Sequence, residues 1–158
     1  MSALYDFAQI EAMIPHKGGM CLWDSVLAFD EERIDCRTAR HLMPDHPLKE
    51  QGQLSRLHLI EFGAQLVAVH GGLLSLQNAS ATGPQIGYLA SVRQVQFGEF
   101  APDALQTPHL FGQAEQLFAD ESGKLYQFCI ADAQHQRLCH GRVMIAHPPS
   151  APTGETHA

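Results

Sequence analysis

Few of the usual chemical signatures are present, and each absence removes a class of function. The four cysteines, Cys21, Cys36, Cys129 and Cys139, form no CxxC and no metal-ligand spacing, so a zinc ribbon or dithiol redox motif is excluded. All four fall in segments that read as strands, where cysteine acts as a small buried apolar residue, and a reducing cytoplasm fits. No block of five or more basic residues offsets the net charge of −7, which argues against nucleic acid as a partner. The serines lie in no GxSxG elbow, and no glycine-rich phosphate loop precedes a helix. The opening MSALYDFAQIEAMIPHKGG is acidic and interrupted by polar residues, unlike a signal peptide. No apolar run is expected to span a bilayer.

What remains is an ordinary globular composition at 158 residues, enough for one domain with a real core. Residues 1–147 read as that domain, and PPSAPTGETHA, residues 148–158, as a polar, proline-rich, disordered tail. Asp6 is a plausible N-cap for a short helix over FAQIEAM, which Pro15 closes. MCLWDSVLAF reads as a strand, DEER as a turn, and RIDCRTA as its hairpin partner. A proline-punctuated loop, RHLMPDHPLKEQGQ, leads to a long helix starting at Ser55. That helix is apolar nearly all round, which predicts burial, and its some twenty residues give roughly 30 Å of length. Gly63, Ala64, Ala68, Gly71 and Gly72 would let a sheet approach it closely.

Beyond the helix the hydrophobic period changes to two. QIGYLASVRQVQF alternates Ile86, Tyr88, Ala90 and Val92 as a half-buried strand does. HLFGQAEQLFA, KLYQFCIAD and RLCHGRVMIAH follow as three more strands joined by DESG and AQHQ, an antiparallel meander. One long helix and about six antiparallel strands make an α+β protein. Because the helix is apolar on both sides, the curled sheet must wrap it, which is the hot-dog arrangement. The strand order is not given by the pattern.

Glu61 interrupts the apolar helix. A carboxylate buried there must be paired or protonated, and burial raises its pKa. His58, three residues before it, and Gln65, four after, share its stripe. A purely structural reading is open: a carboxylate at a gap in the sheet, bonded to loop amides. His46 lies in a loop stiffened by Pro44 and Pro47, close to the start of the same helix. Together His46 and Glu61 could form a base and acid pair. His41 and His58 are the competing histidines, and His16 reads as a brace for the turn into the first strand. The first-turn amides of Arg56 and Leu57 could face a developing negative oxygen, unless the Ser55 side chain caps them. Two ligands, His58 and Glu61, make a poor metal site.

The sequence resembles the hot-dog β-hydroxyacyl-acyl-carrier-protein dehydratases. IPHKGGMCLWDSV is similar to their LPHR…LLVDRV opening, DHPL and EFGAQ to their GHFP and E-A-x-A-Q, and GYLASVRQVQF to their Y-x-x-x-I-x-x-x-x-F strand. The combination HPL…IEFGAQLVAVHGG…GYLASVR looks closest to the ApeP-like dehydratases of aryl-polyene biosynthesis. The resemblance runs to about His147. It implies that His46 is the catalytic histidine and Glu61 the catalytic acid, assembled across a dimer interface. His46 would take the proton alpha to the carbonyl of a 3-hydroxyacyl thioester on an acyl carrier protein. Protonated Glu61 would donate to the leaving hydroxyl, while helix-start amides at Arg56 and Leu57, with Gln65 nearby, would bind substrate. No metal or redox cofactor is implied.

The chain departs from that pattern at three places. Asp45 replaces the glycine before the histidine, the phenylalanine of HFP is absent, and QLSR stands where the family has MPG. Arg56 thus lies near the position of a glycine whose amide helps bind the carbonyl oxygen. From Arg33 to Arg56 five Lys/Arg face Asp35, Asp45 and Glu50, a local positive excess suited to an acidic carrier. Two other functions fit the same fold: hydrolysis of an acyl thioester with Glu61 ionised, or a catalytically weak subunit pairing with a second hot-dog dehydratase. The partner is thus another copy or a related subunit.

Overall fold

The computed structural model describes residues 2–78 and 88–147. Helix α1 (Phe7–Met13) starts as expected: the Asp6 carboxylate accepts from Gln9 N–H at 3.0 Å and the Gln9 side chain accepts from Asp6 N–H at 2.9 Å, a reciprocal cap. Strands β1 (Ser25–Phe29) and β2 (Arg33–Thr38) form the hairpin, its turn held by Asp30, whose Oδ1 accepts from the Glu32 and Arg33 amides. The central helix α2 (Leu59–Gln77) follows, then β3 (Tyr88–Phe97), β4 (Leu110–Asp120), β5 (Gly123–Ala131) and β6 (Arg137–Ala146).

The six strands form one antiparallel sheet in the order β1-β2-β4-β5-β6-β3. The meander expected at β4-β5-β6 is present, and β3 joins its far side by pairing with β6. Leu59, Phe62, Leu66, Val69 and Leu73 of α2 are buried with Ile34, Leu110, Phe128, Ile130 and Val143 of the sheet. This is the hot-dog fold the sequence pattern implied.

Three expectations need correction. The first strand is shorter than MCLWDSVLAF, because Cys21 to Trp23 are buried over the helix rather than paired in the sheet. Leu22 N–H donates to Gln65 Oε1 at 2.5 Å, and Trp23 Nε1–H donates to the Phe62 carbonyl at 2.9 Å. The long helix begins not at Ser55 but at Leu59, after a 3₁₀ turn over Arg56–His58. It is also not buried all round. Leu57 is 63% exposed, Leu76 57%, Glu61 is exposed, and Ile60, Ala64, Ala68 and Gly71 are only half-buried.

The small residues of α2 therefore divide by face. A Cβ on Gly63 would collide with the Phe128 ring of β5, so this glycine is what allows the sheet to close on the helix. Gly72 takes α1, with Met13 Cβ 3.1 Å from where its own Cβ would be. Gly71 has nothing within 4 Å of that position among the described residues. The stretch Arg56–Gln77 has the length and apolarity of a membrane span, contrary to the expectation that no such run exists; half of its apolar window is buried in the fold. Ile86 and the 148–158 tail lie outside the described residues.

Candidate active site

His46 occupies a chain of two turns: its own N–H donates to Met43 C=O at 3.1 Å, and its C=O accepts from Lys49 N–H at 3.0 Å. Pro47 packs against Gly19, whose Cβ would come within 3.0 Å of the proline ring. His46 is 4% exposed. Its ring lies over Phe62 at 6.1 Å and 21°, and Phe62 meets Trp23 edge-on at 5.7 Å and 88°. An aromatic series thus carries the imidazole from the buried tryptophan through the central helix.

The two ring nitrogens of His46 are not equivalent. Leu48 N–H donates to Nδ1 at 3.1 Å, whereas Nε2 is buried without a partner among the described residues. Burial lowers the imidazole pKa, helped by the positive charge of Lys49 and Arg40 and by His41 and His58. No ion pair within 4 Å joins it to Glu61 among the described residues. The carboxylate sits one residue before Phe62, on the side of α2 left open by the sheet. The desolvation invoked for it from sequence is absent in the single chain. Among the described residues the chain thus presents a buried imidazole and an exposed carboxylate that form no ion pair with each other.

Gln65, expected beside the substrate, is 4% exposed and bonded at both ends of its amide: Oε1 accepts from Leu22 N–H and Nε2 donates to Met20 C=O at 2.8 Å. It clamps the chain leading into β1 onto the helix. Arg56 and Leu57 form the first turn of the 3₁₀ entrance, with the Arg56 guanidinium 5.0 Å from the Phe100 ring. Ser55 N–H donates to His58 Nδ1 at 3.0 Å, so His58 is tied to this entrance. A cleft of about 710 Å³ opens here, lined by His41, Lys49, Arg56, His58 and Phe100 among others. It contains neither His46 nor Glu61 but abuts the loop that carries the histidine.

The positive excess between Arg33 and Arg56 is partly consumed inside the molecule. Arg33 lies 3.8 Å from Asp35, and Arg40 stacks on Phe7 at 3.9 Å while its Nε donates to Cys21 C=O. Asp45 does not have the left-handed backbone that would call for glycine, so its replacement of the family's glycine is free of strain.

Two buried histidines were not singled out as structural by the sequence. His70 is inaccessible, with Nε2–H donating to Asp30 C=O and Tyr126 O–H donating to Nδ1, both at 2.7 Å. His41 is 1% exposed and its Nε2–H donates to Thr107 C=O at 2.7 Å. Burial lowers the pKa of both rings. The apolar helix period around His70 was the available signal, since a histidine on a core face is a satisfied one. Burial pushes the Cys21 thiol up to about 11 and that of Cys139 up to about 12, which fits filler rather than nucleophile.

The helix wrapped by a single antiparallel sheet places the chain among hot-dog proteins. A family model described as ApeP-like, ApeP dehydratase, matches residues 8–155, and the chain belongs to that dehydratase family. Among solved structures it is similar to the dehydratase heterocomplex ApeI:P from Xenorhabdus doucetiae, at 22% identity and TM-score 0.71, covering 89% of this chain and 91% of that one. It also resembles a putative thioesterase from Silicibacter sp. TM1040, at 14% identity and TM-score 0.62, covering 94% and 96%. A hypothetical thioesterase with coenzyme A from Streptococcus pneumoniae TIGR4 is similar at 10% identity and TM-score 0.57, covering 78% and 84%. A search of curated proteins finds no significant match.

Proposed function

We propose that this dehydratase removes water from a 3-hydroxyacyl thioester carried on an acyl carrier protein, using His46 and Glu61 drawn from two subunits. One observation carries the reading: His46 is buried with an Nε2 unpartnered among the described residues, while the family's acid position, Glu61, lies uncovered on the open side of α2. A second hot-dog subunit seated on that side would bury the carboxylate and bring it to an imidazole. The partner is a second copy or a related dehydratase, a choice supported by the ApeI:P heterocomplex to which the fold is similar. The reading treats residues 1–147 as the catalytic domain and sets it in the cytoplasm, without metal or redox cofactor. Arg56 and Leu57 present the helix-entrance amides to the acyl carbonyl.

Thioester hydrolysis is the second reading, favoured by the uncovered Glu61 and by the thioesterases that share the fold. Incubation with a 3-hydroxyacyl carrier protein separates the two. Dehydration gives an enoyl thioester still attached to the carrier, whereas hydrolysis gives a free acid and a carrier thiol. An isolated chain that yields neither, but raises the turnover of a co-purifying hot-dog dehydratase, would instead be an accessory subunit.

A further inference from the structure

The central helix lies against one face of the sheet, and the opposite face has a pattern of its own. Residues opposed across an antiparallel ladder point to the same side, so the strand register sorts that outer face into rows. Phe118 pairs with Leu125 and Leu125 with Met144; Glu115 pairs with Gln127 and Gln127 with Arg142; Gln113 pairs with Cys129 and Cys129 with His140. The residues between them, Ala114, Tyr126, Phe128 and Val143, are buried with the helix, which puts all three rows outside. Phe118 is 58% exposed and Met144 38%, and Leu117, the extra residue of a bulge, is 43% exposed. Glu115 and Arg142 are exposed, and neither is in an ion pair among the described residues.

We propose that this outer face is a contact between two copies of the chain, packed back to back about a two-fold axis parallel to β5. Such an axis lays β5 on its own copy and β4 on β6 without shifting residues along the strands. Each row then meets its own reverse. Phe118 covers Met144 of the second copy, Leu125 meets Leu125, Glu115 faces Arg142, and Cys129 meets Cys129. The acid lies over the base twice, once on each side of the axis, while the apolar row is buried on itself. An axis across the strands would instead set the apolar row on the polar row of Gln113, Cys129 and His140. Twisted sheets pack face to face within about 30° of alignment, so the central rows stay opposed. Because the sheet curls around the helix, its outer face is convex. β2 and β3 fall away from the contact, which keeps Arg33 and Arg93, the like-charged ends of the middle row, apart.

This contact is on the far side of the sheet from α2, so it is additional to any pairing that joins His46 to Glu61 and does not rest on the dehydratase reading. Its size sets its strength. Three strands about 4.8 Å apart, meeting over residues 125–129 at about 3.3 Å each, cover roughly 250 Å² per copy. A standard interface covers roughly 800 Å². The association is therefore weak and depends on protein concentration.

Sedimentation velocity of the full chain over a concentration series tests the proposal, with a partner subunit present if it has one. The mass should double at high concentration. Phe118→Glu replaces an exposed side chain and should raise the dissociation constant of that step about tenfold or more. Glu115→Arg and Arg142→Glu should each weaken it by about as much. The double exchange should return it to within about threefold of wild type, because the pair is restored with its signs reversed. Cys129 is half-buried whereas Cys21, Cys36 and Cys139 are buried, so a short bis-maleimide should link two copies through Cys129 and fail with Cys129→Ser. A wild type that stays at the smaller mass throughout overturns the proposal. So does a charge exchange without recovery, or a doubling that Phe118→Glu leaves untouched, which would give this face to residues 148–158 or to a different protein. Enoyl product from a chain that fails these tests would leave the dehydratase reading standing.

Discussion

Replacing Gln65 with leucine separates two roles that the sequence could not. The amide joins Leu22 N–H and Met20 C=O to the central helix, at 2.5 and 2.8 Å. Leucine keeps nearly the same bulk but leaves both backbone groups without that partner. Leu22 is 1% exposed, so water cannot replace the acceptor there, and a buried orphan N–H costs about 1–3 kcal/mol. Met20 is only half-buried, so its carbonyl can turn to solvent and should add about 1 kcal/mol. The sum, roughly 2–4 kcal/mol, is a large fraction of a typical domain's stability. Urea unfolding at fixed protein concentration should show a lower midpoint with an unchanged slope, because the surface exposed on unfolding is the same. KM should stay close to wild type below the unfolding range. A variant of unchanged stability with a raised KM would mean that Gln65 touches substrate, and the clamp would be refuted.

Gly63→Ala should destabilise by about 1–3 kcal/mol, because the added methyl collides with the Phe128 ring; a rise in melting temperature would contradict this. Gly71→Ala meets nothing in the single chain, so any loss there should appear in subunit association rather than in folding, read by analytical ultracentrifugation. Stability should also fall in acid. Burial holds the His41 and His70 rings below their ordinary pKa, so the unfolded chain binds their protons first. Their contribution is complete above the unfolded histidine pKa of about 6.5 and is lost as pH falls below it. Urea midpoints compared at neutral and mildly acid pH check the sign, and greater stability in acid would be the wrong one.

Much of the architecture was legible because its signals are local. Asp6 marked the cap of the first helix, the period-two segments after the long helix became strands, and DEER marked the hairpin turn. The extent of β1 was not legible, because Leu22 and Trp23 have strand-like side chains but spend their polar groups on Gln65 and Phe62, some forty residues away in sequence. The helix was misread in one respect for the same reason. Hydrophobicity all round a helix does not report that one chain covers both of its sides. Leu57, Ile60, Ala64 and Leu76 are apolar yet incompletely buried here, and Glu61 lies among them. His46 was visible in its proline-flanked loop. The bond that its Nδ1 accepts from the Leu48 amide was not.

We propose that a second subunit completes the site, since His46 and Glu61 form no ion pair among the described residues. Mixing His46→Ala chains with Glu61→Gln chains, after dissociation and reassembly, tests this most directly. In a shared-interface homodimer each hybrid regains one site with both groups intact, so turnover should recover to about a quarter of wild type from two inactive preparations. Mixtures that reassemble into hybrids yet stay as inactive as either parent would place both groups in one subunit and contradict the account.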